Sequence, residues 1–162
     1  MKVLVTAASR HGSTLEVAEA IAQRLKTHGI DVEQLPPESV DSLDPYDGVV
    51  VGSAVYLRQW ADTAKNFVQR FHQDLRDKPS WAFSVGISEV AKGRPEDVHR
   101  IGPVAVDGVF HGQKVFPGRY DPSNLNLRER SIGYVAGAVE GDYRDWQEIG
   151  QWADEIAQEL GA

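Results

Sequence analysis

Thr6-Ala7-Ala8-Ser9-Arg10-His11-Gly12-Ser13-Thr14 is the stretch that decides the fold. Before it, residues 2–6 form a short β-branched and apolar run that ends in small residues. After it, Leu15, Ala18, Ile21, Ala22 and Leu25 recur at the helical period, with Glu16, Glu19, Gln23 and Lys26 off the stripe. Gly29 follows the last turn and supplies a helix stop. The nonapeptide is therefore a turn from a first strand into a first helix, and it is dense in hydroxyls.

The same alternation continues outward. Residues 30–35 read as a second strand, ended by Pro36-Pro37. Gly48-Val49-Val50-Val51-Gly52 reads as a third, apolar without alternation as buried parallel strands are. Ala61, Ala64, Phe67, Val68, Phe71 and Leu75 make a second helical stripe, and residues 81–85 a fourth strand. Residues 104–110 read as strand or irregular chain, 114–116 as a fifth strand, and 125–139 as helix. Trp146, Ile149, Trp152, Ala153, Ile156 and Leu160 form an amphipathic C-terminal helix. Strands separated by helices imply right-handed βαβ units and a parallel sheet covered on both faces. The expected fold is one doubly wound α/β domain spanning residues 1–162.

At the start of the first helix, unpaired backbone N–H groups and a partial positive charge suit a phosphate. Ser9, Ser13 and Thr14 add hydroxyls around the same point, and Gly12 lets the backbone turn without a Cβ. The alternative is a helix cap by Ser13 or Thr14, and Glu16, three residues after Ser13, completes a capping box. Neither G-x-G-x-x-G nor a Gly-Lys-Ser/Thr phosphate loop occurs.

Composition narrows the function. The 162 residues are 41% hydrophobic and 25% charged, near the globular average. With no cysteine, the chain has no disulfide, thiolate nucleophile or Cys-ligated metal. The five histidines show no ligand spacing, so no metal site is expected. A net charge of −7 repels phosphate backbones and anionic membranes, so nucleic acid is not an expected partner. No apolar run is long enough to span a bilayer or to act as a signal peptide, and a cytoplasmic location is expected.

The run S-x-x-G-x-T from Ser9 to Thr14, after a first strand and before a clean helix, resembles the phosphate loop of the flavodoxin-like family, of form (S/T)-x-x-G-x-T. Gly52-Ser53-Ala54-Val55-Tyr56 stands where that family places its second flavin loop, and Ser84-Val85-Gly86 where it places its third. Asp142-Tyr143-Arg144-Asp145-Trp146, Phe83-Ser84-Val85 and Asn66-Phe67-Val68 resemble the menaquinone-dependent protoporphyrinogen oxidases within it. The resemblance implies a flavodoxin-like doubly wound, five-stranded parallel sheet of order 2-1-3-4-5, with helices on both faces and FMN as cofactor. Ser9, Gly12, Ser13 and Thr14 would hold the phosphate, with the backbone N–H groups of Arg10 and His11. Ala54, Val55, Tyr56, Leu57 and Trp60 would flank the ring, as would Ser84, Val85 and Gly86. The Arg10 side chain either forks onto the phosphate or points outward.

In function, the resemblance implies an FMN-binding oxidoreductase that passes electrons or hydride between a reduced substrate and a quinone-type acceptor. The alternatives are an electron-transfer protein serving a reductase partner and a sensor of phosphate ligands that lost FMN. Low-potential flavodoxins commonly have a glycine in the second flavin loop, and residues 53–60 contain none. That absence implies poor stabilisation of the one-electron reduced flavin. No side-chain pair stands out as a general acid and base.

Overall fold

The first strand, β1 (Lys2–Ala8), is built by alternation in a place where both faces are covered. Val3, Val5 and Ala7 point to one side of the sheet, Leu4 and Ala8 to the other. The computed structural model describes residues 1–9, 12–56, 59–86, 109–120 and 141–162. Of the strand or irregular chain expected at residues 104–110, only 109 and 110 are described, and they are irregular; residues 104–108 and the helix expected at 125–139 lie outside the described residues.

The chain continues through α1 (Ser13–Thr27), β2 (Asp31–Gln34) and β3 (Gly48–Tyr56). A two-residue strand β4 (Gln59–Trp60) precedes α2 (Asp62–Arg70), α3 (His72–Asp77) and β5 (Ser80–Gly86). β6 (Gly112–Pro117), β7 (Arg119–Tyr120), β8 (Gly141–Asp142) and α4 (Trp146–Glu159) complete the described elements. β2, β1, β3, β5 and β6 lie in that order and are all parallel. These are the five expected strands in the expected order. The addition is β4, which runs antiparallel to the end of β3 through Val55↔Trp60 and Tyr56↔Gln59. β7 and β8 form a separate antiparallel pair.

One layer packs Val17, Ile21 and Leu25 of α1 and Ile149, Ala153 and Ile156 of α4 on Val3, Val5, Val50 and Phe83. Trp152 anchors α4 there, edge-on to Phe116 at 5.7 Å and to Phe83 at 6.1 Å. The opposite layer packs Ala64, Phe67 and Val68 of α2 with Leu75 of α3 on Leu4, Val49, Val51 and Ala82. Each of these larger side chains contributes about 1.5–3 kcal/mol on full burial.

Four of the five residues expected on the α1 stripe are buried, and Leu15 is not. Thr14, Val17, Ala18, Ile21, Ala22 and Leu25 are buried, whereas Leu15 is 52% exposed. At 3.6 residues per turn Leu15 falls roughly 90° from the centre of that buried set, at its edge. Gly52 is required by packing, since a Cβ there would lie 2.0 Å from the Phe83 ring of the neighbouring strand.

Candidate functional site

In this strand order the chain leaves β1 for β2 on one side and returns to β3 on the other. Connections diverge there, leaving a crevice at the carboxyl ends of β1 and β3, where open α/β sheets bind ligands. The turn after β1 and the hairpin after β3 form its two walls.

The first wall starts α1. Gly12 is the N-cap, in the left-handed region with φ 88° and ψ −16°. Nothing lies near where its Cβ would be, so glycine is needed for the backbone angle and not for room. Its N–H donates to Ser9 Oγ at 2.9 Å, which folds the turn onto itself and leaves the Ser9 O–H to donate elsewhere. Among the described residues no side chain caps α1, so the capping alternative is overturned. Ser13 already has helical geometry, and Glu16 pairs with Arg144 at 2.8 Å instead of reaching back. Thr14 is only 1% exposed, and its Oγ1 has no hydrogen-bond partner among the described residues. A buried polar group left unpaired costs about 1–3 kcal/mol, so this hydroxyl fits an acceptor supplied by a ligand. A phosphate monoester matches the whole set: uncapped N–H groups, a left-handed glycine and an unspent hydroxyl. Arg10 and His11 lie outside the described residues.

The second wall is pinned by Ser53, which sequence reasoning did not single out. Its Oγ donates to the Ala54 carbonyl and accepts from the Ala61 N–H, both at 2.9 Å, and so sets the start of α2. Beside it opens a cleft of about 310 Å³ lined by Ala54, Tyr56, Gln59, Trp60, Asp62 and Lys65, among others. Leu57 lies outside the described residues.

Two of the side chains expected beside the ring are buried. Trp60 is 2% exposed and packs in the α2-side core, because its antiparallel pairing with Val55 turns the indole inward. Its Nε1–H donates to Ser84 Oγ at 2.8 Å, and Ser84 is fully buried. The two side chains support the floor of the crevice, and Trp60 also lines the cleft. Val55 and Val85 are likewise buried in the two core layers, leaving only their backbones for a ligand. Gly86 ends β5, and its carbonyl accepts the Gly118 N–H at 3.2 Å. Ala54 and Tyr56 are half-buried at the cleft.

A third group reaches the first wall from far along the chain. Arg144 Nη1 donates to Glu16 Oε2 at 2.8 Å and to the Ser13 carbonyl at 3.3 Å. Hydrogen bonding from Arg144 holds the Asp142 carboxyl below its ordinary range, and Asp142 in turn raises the guanidinium.

Among the described residues no helix is long and apolar enough to cross a membrane. A family model described as "Flavodoxin domain" matches residues 4–144. The chain is 26% identical over 174 residues to protoporphyrinogen IX dehydrogenase [quinone] of Escherichia coli K12, covering 97% of this chain and 95% of that protein. A flavodoxin from Pseudomonas aeruginosa superposes with a TM-score of 0.60 at 16% identity, covering 100% of both chains. Rubredoxin oxygen:oxidoreductase from Desulfovibrio gigas superposes with a TM-score of 0.61 at 15% identity, covering 99% of this chain but 36% of that one. The sheet order, the uncapped turn after β1 and a family match over most of the chain agree: this protein belongs to the flavodoxin domain family.

Proposed function

We propose that this chain binds FMN in the crevice between β1 and β3 and works as an FMN-dependent oxidoreductase with a quinone-type acceptor. The observation that carries the reading is the Thr14 hydroxyl, buried and, among the described residues, without a partner at a helix start that no side chain caps. Ser9, Ser13 and Thr14 donate to the phosphate, and the Arg10 and His11 N–H groups complete the same loop. The N-terminal field of α1 favours the anion. When bound, FMN supplies the hydride and electron chemistry, and the protein supplies orientation and electrostatics.

Tyr56 and Ala54 face the neighbouring cleft, which has room for a flat ring beside the flavin. An aromatic side chain adds about 0.5–1.5 kcal/mol to such stacking beyond area burial. Lys65 on the same cleft is a donor for a quinone oxygen. A quinone appears in the name of the Escherichia coli relative, which supports that acceptor class.

The test is titration of the purified protein with FMN and with riboflavin, followed by quenching of flavin fluorescence. FMN is expected to bind more tightly by several kcal/mol, since riboflavin leaves the loop's donors unmatched. Equal affinities would reduce the loop to structural punctuation. Turnover of a soluble quinone by the reduced, flavin-loaded protein tests the acceptor.

A further inference from the structure

We infer that Arg144 is a positioning residue that keeps the first turn of α1 receptive to phosphate by taking the Glu16 carboxylate out of competition for it. The inference rests on the FMN reading.

Arg144 is built in, not draped over the surface: its side chain is 4% exposed. It forks onto Asp142 through Nε–Oδ1 at 2.8 Å and Nη2–Oδ2 at 2.7 Å. Its remaining nitrogen, Nη1, holds Glu16 and the Ser13 carbonyl, and the guanidinium stacks 4.7 Å from the Trp146 ring centre. Its backbone is fixed on both sides. The Tyr143 N–H bonds the Gly118 carbonyl at 3.2 Å, and the Asp145 carboxylate caps α4 by accepting from Gln147 and Glu148. A planar fork of this kind sets direction as well as charge, which a lysine does not reproduce.

Glu16 is the reason this matters. An acidic side chain in the first turn is attracted by the same helix field that attracts a phosphate. Only a helix starting one residue later, with Ser13 in place of Gly12 as its cap, would let Glu16 close a capping box and consume backbone N–H groups there. The fork on Asp142 aims Nη1 at Glu16 and draws that carboxylate sideways, leaving the N–H groups open. The guanidinium is buried and the Glu16 side chain is 56% exposed, so salt weakens the pairing from the Glu16 side. The C-terminal segment thereby prepares a site made by the N-terminal one.

The experiment compares wild type, Arg144→Gln, Arg144→Lys, Glu16→Gln and Arg144→Gln/Glu16→Gln. FMN and riboflavin dissociation constants are measured for each at low and high salt, with urea midpoints as a check on folding. Arg144→Gln is expected to weaken FMN about tenfold, the scale of one charge-assisted contact, while riboflavin changes little. Arg144→Lys recovers part of that loss. Adding Glu16→Gln to Arg144→Gln recovers most of it, which a purely structural role does not predict. Glu16→Gln alone keeps or tightens FMN binding, a test independent of how well the arginine variants fold. Equal loss of FMN and riboflavin without rescue by Glu16→Gln overturns the inference, as does weaker FMN binding by Glu16→Gln alone. A wild type that binds FMN with Arg144→Gln unchanged overturns it and spares the flavin reading. A wild type that takes up no FMN overturns both.

Discussion

Trp60 donates its indole N–H to the Ser84 hydroxyl at 2.8 Å, and both side chains are sealed in the layer beneath α2. The bond ties the short strand β4 to β5 across the end of β3. Trp60→Phe is therefore expected to destabilise the protein by about 1–3 kcal/mol, because Ser84 is left buried without its donor. Ser84→Ala strands the indole N–H at similar cost, and the double variant recovers part of the sum. Urea unfolding measures all three. A large fall in flavin affinity with no change in stability would return Trp60 to the ligand.

Thr14→Ala separates binding from stability. The variant removes a donor to a charged group, so FMN affinity is expected to drop by about 1.5–3 kcal/mol. The same change deletes a buried hydroxyl that has no partner, so the ligand-free protein holds or gains stability. Fluorescence titration and urea unfolding of flavin-free protein check the two halves.

Two glycines fail for different reasons. Gly12→Ala meets open space but a left-handed backbone, at a cost of about 1 kcal/mol. Gly52→Ala drives a methyl into the Phe83 ring, which costs about 1–3 kcal/mol for overpacking. Phe83→Leu is expected to relieve the second variant and not the first. Equal rescue of both by Phe83→Leu would contradict the geometry.

Stability is expected to fall at both ends of the pH range. Burial, reinforced by the Glu33 carboxylate that its hydroxyl donates to at 2.7 Å, pushes Tyr46 up to about 12. A phenol raised from its ordinary value near 10 favours the folded state below pH ~10, and that contribution is lost as pH climbs through about 12. Tyr46→Phe flattens the alkaline limb. At the acid end, hydrogen bonds from Arg24 and then His28 hold Asp154 well below its ordinary range. Its contribution is present above pH ~4 and disappears as pH falls and the carboxylate takes its proton. The group is exposed, so Asp154→Asn is expected to make a small change confined to the acid limb. Chemical denaturation across the range reads both.

Residues 53–60 contain no glycine, so a peptide there cannot readily turn to φ > 0 to offer its carbonyl to a reduced flavin. Stepwise dithionite reduction of the flavin-loaded protein is expected to pass from oxidised to two-electron reduced with little one-electron form between. A large blue intermediate at half reduction would favour an electron-shuttle role.

The strands were readable because each signal is local, whereas their order came from the family resemblance. Val49-Val50-Val51 needs cover on both faces, and the α4 stripe of Ile149, Trp152, Ala153 and Ile156 needs cover on one. The turn from Ser9 to Thr14 was readable for the same reason: strand, glycine, hydroxyls and helix follow one another along the chain. β4 was not, because two residues carry no period, and its existence depends on Val55 finding Trp60.

By itself, the sequence determined the layers, the parallel sheet and the turn that opens the first helix, since those depend on hydrophobic period and turn chemistry within a few residues. Tertiary structure alone decided which way the edge side chains face. Trp60 and Tyr56 look alike on paper and both line the cleft, yet Trp60 is buried in the core and Tyr56 only half-buried, because pairing register sends alternate residues to opposite faces. It alone joined Arg144 to Glu16, 128 positions apart. A buried charge is tolerable only where folding brings its partners, and no local pattern records which partners those are.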